Sequence, residues 1–363
     1  MQHALARVVA LLLLLNTTMA MTAQRVLGLK QALTSVSPEL IRAAATRIAP
    51  HAARTAVLRS DAVDARAGCA VHVKAEHLQL TGSFKYRGAL NAVLSLTEAE
   101  AARGVVAHST GNHGAAVARA AKARRAPCCI VVPSTTPAAK LANIARYCDD
   151  VVQCEPTPRA RAEAAEAAAE RLGGAAVVHP FDDARVICGQ GTIGLELLED
   201  LPALDAILVP VSGGGMLAGI ATACAGTATK VVAVEPAGKR LRDALAAGER
   251  CPFSAAELQA APTLKTVADA MPTRLLGETL SWPLVFGLVE DVLTVNDAAI
   301  LEAVRVTAVE LKQAVEPAGA VALAAALSPE FAAMRDREGW TNVAVVACGG
   351  NVDLEVLSRA LSG

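Results

Sequence analysis

The sequence predicts an α/β fold in which mostly parallel sheets are covered on both faces by helices. Three observations predict it. Short, continuously apolar runs recur along the chain, such as CCIVVP (128–133), AILVPV (206–211) and NVAVVA (342–347). Helical stretches separate many of these runs, and glycine-bearing loops stand at strand–helix junctions. A strand that is apolar throughout has no face toward water, the condition of a parallel strand buried between two helical layers.

The elements follow in order. Arg7 precedes the apolar run Val8–Leu15, and small residues follow as far as Ala20 and Ala23. Residues 1–23 therefore read as a signal-like or other targeting leader, with an apolar run too short to span a membrane. Ser37-Pro38-Glu39 opens a helix with an N-cap, a proline at the first helical position and an acid in the first turn. Thr97 and Glu100 form a capping box, and Gly104 ends that short helix. Strand and helix then alternate: strands at 104–109, 127–133, 150–155 and 175–180, helices at 111–125, 135–148 and 159–174. Further strands are expected at 206–211, 230–236 and 342–350. The uncharged stretch from Ala206 to Thr229 contains Pro210 and three successive glycines, so it reads as strand, loop and helix rather than as a membrane span. The least regular part is Pro252–Pro283.

Composition narrows the function. With 34 basic and 35 acidic residues the net charge is −1, which gives no electrostatic reason to expect nucleic acid. Nine cysteines follow neither zinc nor disulfide spacing. They suit a reducing compartment, which conflicts with a secretory leader and leaves localisation open.

Chemistry is concentrated in four places. Lys85, in LTGSFKYRGALNAV (80–93), follows Ser83-Phe84 and opens an alanine-bearing segment. Three glycine loops, HSTGNHGAA (108–116), SGGGMLAG (212–219) and ACGGNVDL (347–354), would meet at the carboxyl ends of a parallel sheet, where ligands bind. SGGGM has no lysine after its glycines and lacks dinucleotide spacing, so it is neither a P-loop nor a Rossmann fingerprint. Successive glycine N–H groups ahead of a helix can cradle one phosphate. A lysine amine forms an imine with an aldehyde, and pyridoxal 5′-phosphate brings an aldehyde and a phosphate together.

SFKYRGA, STGNHGAA, SGGGM, VEPAGA and CGGN together resemble the serine racemase and serine/threonine dehydratase branch of the fold-type-II, tryptophan-synthase-β-like pyridoxal-phosphate enzymes. The similarity runs from about Ser37 to the C-terminus, and GNHG, rather than GNTG, separates this branch from the cysteine synthases. The resemblance implies two three-layer α/β domains with the cofactor between them. Residues 24–103 and 181–363 would form the large cofactor-binding domain and residues 104–180 the small one. No C-terminal regulatory domain of the threonine-deaminase kind is expected, and a homodimer is. Lys85 would bond the cofactor aldehyde and Phe84 pack on its ring. Asn112 would bond its phenolic oxygen. Ser212, Gly213, Gly214, Gly215 and Met216 would hold the phosphate. Cys348 would face the pyridine nitrogen, with Glu316 nearby. Ser109, Thr110, Gly111 and His113 would bind the substrate carboxylate. Arg161 matches an arginine of the racemase-like subset, although a solvated helix face explains it almost as well.

A thiol with a pKa of about 8.5 is neutral and cannot hold a proton on the ring nitrogen. That disfavours transamination and suits α-proton removal followed at once by loss of a β-hydroxyl or by reprotonation. Elimination needs Lys85 alone as base. Racemisation needs a second acid/base on the opposite face, for which Thr110 is the candidate. The sequence leaves open ammonia-lyase, serine or aspartate racemase, β-replacement of the cysteine-synthase kind, and a non-catalytic cofactor- or amino-acid-binding module. Three departures from the branch bear on regulation. The family's divalent-metal site uses the acid at Glu235 and another six residues on, where Leu241 stands, which speaks against magnesium. Phe181 replaces a nucleotide-contacting asparagine, which speaks against ATP. Ala270 replaces the glycine of an ADG motif.

Overall fold

The computed structural model describes residues 25–109, 111–136 and 138–362. The leader expected over residues 1–23 and the candidate acid Thr110 lie outside the described residues.

Two sheets organise the chain. The larger has six strands in the order β1-β2-β10-β7-β8-β9. These are β1 (Val57–Leu58), β2 (Ala70–Lys74), β7 (Ala206–Pro210), β8 (Lys230–Pro236), β9 (Asp291–Val295) and β10 (Asn342–Val346). All neighbours are parallel except β1, which pairs antiparallel with β2 at the edge. The smaller sheet is parallel throughout, in the order β5-β4-β3-β6. Its strands are β3 (Val105–His108), β4 (Cys128–Pro133), β5 (Val151–Cys154) and β6 (Ala176–Val177). The chain thus completes β1 and β2, builds the smaller sheet, and returns to finish the larger one.

Strand alternation puts a separate core on each face. Leu208, Val232 and Val234 pack with the helices Asp297–Glu310 and Pro317–Ala326, while Ile207, Val209 and Ala233 face the helices Ala184–Asp200 and Gly215–Cys224. In the smaller sheet Val105, Ala107 and Ile130 lie in one core, and Val106, Cys129 and Val131 in another. Both sheets are therefore covered on two sides, the arrangement the apolar strands require.

The expected caps are present. Ser37 Oγ accepts from Leu40 N, and Thr97 and Glu100 close a reciprocal capping box. Such caps contribute about 1 kcal/mol each. The irregular Pro252–Pro283 stretch contains one six-residue helix, Ala255–Ala260. Residues 266–274 within it form an irregular strap, turned at 269–270, that borders the cleft described next.

One pairing sets up the site. β2 runs parallel to β10 from Ala70 with Asn342 to Lys74 with Val346. The segments that leave these two strands therefore travel side by side. They meet again where Phe84 N donates to Cys348 O at 3.0 Å and Ser83 bridges Gly349.

Candidate active site

A cleft of 880 Å³ gathers the three glycine loops, the Lys85 segment and the strap. Lys85 is the first residue of the helix Lys85–Leu94. Its Nζ lies half-buried, 5.0 Å from the Phe84 ring centre, and donates to Pro180 O at 2.8 Å. Burial pulls its pKa down to about 8, against a smaller upward pull from Cys348. The amine is therefore free of its proton in far more molecules at neutral pH than an exposed lysine would be.

The rest of SFKYRG anchors that lysine. Arg87, fully buried, forks onto Glu76 through Nε at 2.8 Å and Nη2 at 2.8 Å, and onto Glu196 at 2.7 and 2.9 Å. Lys74 adds a bond to Glu196 at 2.7 Å. Gly88 has no room for a side chain: a Cβ there would sit 2.3 Å from Gln190. The helix Ala184–Asp200 thereby locks the turn that presents Lys85.

Across the cleft, each glycine of SGGGM has its own reason. A Cβ on Gly213 would fall 2.3 Å from the Phe181 ring, and one on Gly215 would meet Phe181 O at 2.7 Å. Gly214 has φ +95°, a left-handed conformation that glycine alone adopts without cost. Phe181 is held in turn by Ser281 Oγ, which donates to its carbonyl at 2.6 Å. The helix Gly215–Cys224 begins at Gly214 with no side-chain cap. Its leading N–H groups lie at the cleft wall formed by Ser212 to Leu217, and they fit a phosphate.

The GNHG loop starts the helix Asn112–Arg124, likewise without a side-chain cap. Ser109, Gly111, Asn112 and His113 line the cleft. Asn112 Nδ2 donates to Glu316 Oε1 at 2.8 Å, and its Oδ1 accepts from Asn351 Nδ2 at 2.7 Å. Glu316 is buried at the start of the helix Pro317–Ala326, and burial raises its pKa to about 7. His113 faces the scaffold: Nε2 donates to Val178 O at 2.9 Å, and burial lowers its pKa to about 3. The ring is therefore neutral, and Nδ1 is buried without a partner.

Cys348 closes the floor. Its Sγ donates to Ala318 O at 3.2 Å, and burial pushes its pKa up, with Glu316 adding to the effect. The thiol keeps its proton and brings no negative charge to the cleft. Met216 and Arg161 also line the cleft.

Glu235 is not part of the cleft lining. Its Oε2 accepts from Leu241 N at 2.6 Å and its Oε1 from Thr294 Oγ1 at 3.1 Å. Residues absent from the sequence-based set also reach the cleft. His179 and Pro180 end the 175–180 strand run, and Asn351 is the last residue of CGGN, so motif membership was a usable signal for Asn351. Lys140 and Asp269 pair at 2.6 Å between the helix Ala138–Ala145 and the strap; Asp269 belongs to the altered ADG motif, whereas no motif announced Lys140.

Comparison with known proteins agrees with this geometry. Residues 48–349 match the family of pyridoxal-phosphate dependent enzymes. The chain is 42% identical over 326 residues to serine racemase of Oryza sativa subsp. indica, covering 88% of this chain and 92% of that protein. It is 39% identical over 319 residues to beta-hydroxyaspartate dehydratase of Paracoccus denitrificans, covering 87% and 96%. Maize serine racemase superposes with a TM-score of 0.83 at 38% identity, covering 90% of this chain and 97% of that one. A half-buried amine sharing its cleft with an uncapped glycine turn is what a phosphorylated aldehyde needs, and by fold and sequence alike this chain belongs to the pyridoxal-phosphate-dependent enzymes.

Proposed function

We propose that this enzyme is an ammonia-lyase for small β-hydroxy amino acids such as serine, threonine or 3-hydroxyaspartate, and that it also interconverts enantiomers at the same site. The observation that carries the reading is the pairing of a half-buried Lys85 amine with a protonated Cys348 thiol at the floor of one cleft. Held there, pyridoxal phosphate would supply an aldehyde for the substrate amine and an electron-withdrawing ring for its α-carbon.

The chain's own groups do the rest. Lys85, with its pKa lowered to about 8, takes the proton from the substrate α-carbon. N–H groups at the start of the helix Asn112–Arg124 hold the substrate carboxylate, and Ser109 borders it. Asn112, braced by Glu316 and Asn351, fixes the cofactor's orientation. Residues Ser212 to Met216 hold the phosphate. Cys348 contributes no anion, so negative charge developing at the α-carbon is not stored for long. That supports immediate loss of a β-hydroxyl or immediate reprotonation over transamination.

Reprotonation on the opposite face supports the second reading, racemisation. The rice and maize relatives are named serine racemases, while the Paracoccus relative is named a dehydratase. We assign the opposite-face acid to Thr110 on its place in STGNHG. The test is a chiral product assay on L-serine, L-threonine, L-aspartate and 3-hydroxyaspartate, scoring 2-oxo acid and D-enantiomer separately. The proposal expects 2-oxo acid from the hydroxylated substrates. Thr110→Ala should abolish D-serine formation and spare pyruvate release. Sulfide incorporation in place of ammonia release, or no turnover of any of the four, would refute the lyase reading.

A further inference from the structure

One buried charged group has no part in this chemistry. Lys239 is 1% exposed, in the turn between β8 and the helix Leu241–Ala247. The flanking backbone is unusual: Gly238 has φ +90° and Arg240 φ +62°. A left-handed arginine is strained unless its surroundings hold it, and here the turn sends Lys239 inward. Its Nζ donates to Thr273 O at 2.9 Å and to Arg274 O at 3.2 Å. Both acceptors belong to the strap whose earlier residues, Met271 to Thr273, line the cleft.

The surroundings are those of a cation site. Glu235, 2% exposed, is close enough to favour charge on Lys239, while burial pulls the lysine down to about 7. A carboxylate and two carbonyl oxygens are the donors a hard divalent ion takes. The residues do not fit such an ion. Both Glu235 oxygens already accept hydrogen bonds, and the place of a second acid is taken by the buried, apolar Leu241. Among the described residues no group of three His, Cys, Asp or Glu side chains could hold a metal.

We propose that Lys239 stands in for a divalent metal ion: its Nζ, donating to Thr273 O and Arg274 O, ties the turn after β8 to the strap at residues 273–274 and so sets one wall of the cleft. The enzyme is thereby independent of magnesium and calcium. Lys239 acts as a positioning residue, because its contacts are to the strap and not to substrate.

The test uses holoenzyme, with thermal melting and steady-state kinetics in chelator, in magnesium and in calcium. Wild type should show the same melting temperature and the same kcat/KM in all three. Lys239→Ala should melt lower and raise KM about tenfold or more, with a smaller change in kcat, as loss of a charge-assisted bond predicts. Lys239→Arg should recover part of that loss. Lys239→Ala combined with Leu241→Asp should become cation-dependent, melting higher and binding substrate better in magnesium or calcium than in chelator. A wild-type melting temperature that falls in chelator would overturn the proposal, and so would a Lys239→Met enzyme with native melting and KM. Should Lys239→Ala fail to fold, the wild-type chelator comparison still decides. Melting does not depend on which substrate the enzyme uses, so failure here is separable from failure of the lyase assignment.

Discussion

Lys85 and Glu316 carry opposite pKa shifts with one physical cause. Burial disfavours whichever form is charged, so the amine falls to about 8 and the carboxyl rises to about 7. For Lys85 the consequence is kinetic. The cofactor-free protein should capture pyridoxal phosphate at a rate that climbs with pH and levels off above about 8, not above the 10.5 of an ordinary lysine, as followed by the growth of visible absorbance. For Glu316 the consequence is thermodynamic. Its folded pKa lies above the model-compound value of 4.5, so the folded state holds its proton longer. Its contribution to stability is full below about 4.5 and is lost as pH rises through about 7. Glu316→Gln removes that titration. The melting temperature of the variant relative to wild type should therefore rise between about pH 5 and 8; an unchanged difference would mean that Glu316 does not titrate in that window.

At the scale of elements, the glycine turn and the SFKYRG helix are each fixed by contacts from elsewhere in the chain. Gly213→Ala forces a methyl into the Phe181 ring, and Ser281 holds Phe181 from behind. It should weaken cofactor binding by about 5- to 150-fold, measured by equilibrium dialysis, as overpacking costs about 1–3 kcal/mol. Arg87→Met leaves Glu76, fully buried, without its counter-charge. Denaturant unfolding should show a loss of about 3–5 kcal/mol, the size expected when one partner of a buried pair is removed. These elements differ in how legible they were. Ser37, Thr97 and Glu100 announced their helices because capping is local chemistry, satisfied within four residues. Arg87 stood in plain view beside Lys85, yet its partners Glu76 and Glu196 lie 11 and 109 residues away and only the fold brings them together. Phe181 was read as a departure from a nucleotide site. Its packing on Gly213 follows from the chain's return to the larger sheet, which no local pattern encodes.

For the whole molecule, the apolar strands were sufficient to predict two-sided parallel sheets, because an uninterrupted apolar run leaves no wet face. Strand order was not legible. The β2–β10 pairing joins residues some 270 positions apart, and it is what sets Lys85 beside Cys348. Glycine loops from HSTGNHG, SGGGM and ACGGN converge as expected of strand ends, and the structure adds the contact of Lys140 with Asp269 of the strap, for which the sequence offered no cue. Because the cleft draws walls from both sheets, cofactor should stabilise the molecule as a unit. Stripping it should lower the melting temperature, and restoring it at about 100 times its dissociation constant should return about 2.7 kcal/mol.

The most direct test of the central claim, that Lys85 is the amine that carries the cofactor, is to reduce the holoenzyme with borohydride, digest it and locate the phosphopyridoxyl group by mass spectrometry. The account predicts one modified peptide containing Lys85, and none from Lys85→Ala. Modification at Lys74, Lys140 or Lys239 instead, or no modified peptide at all, would contradict it.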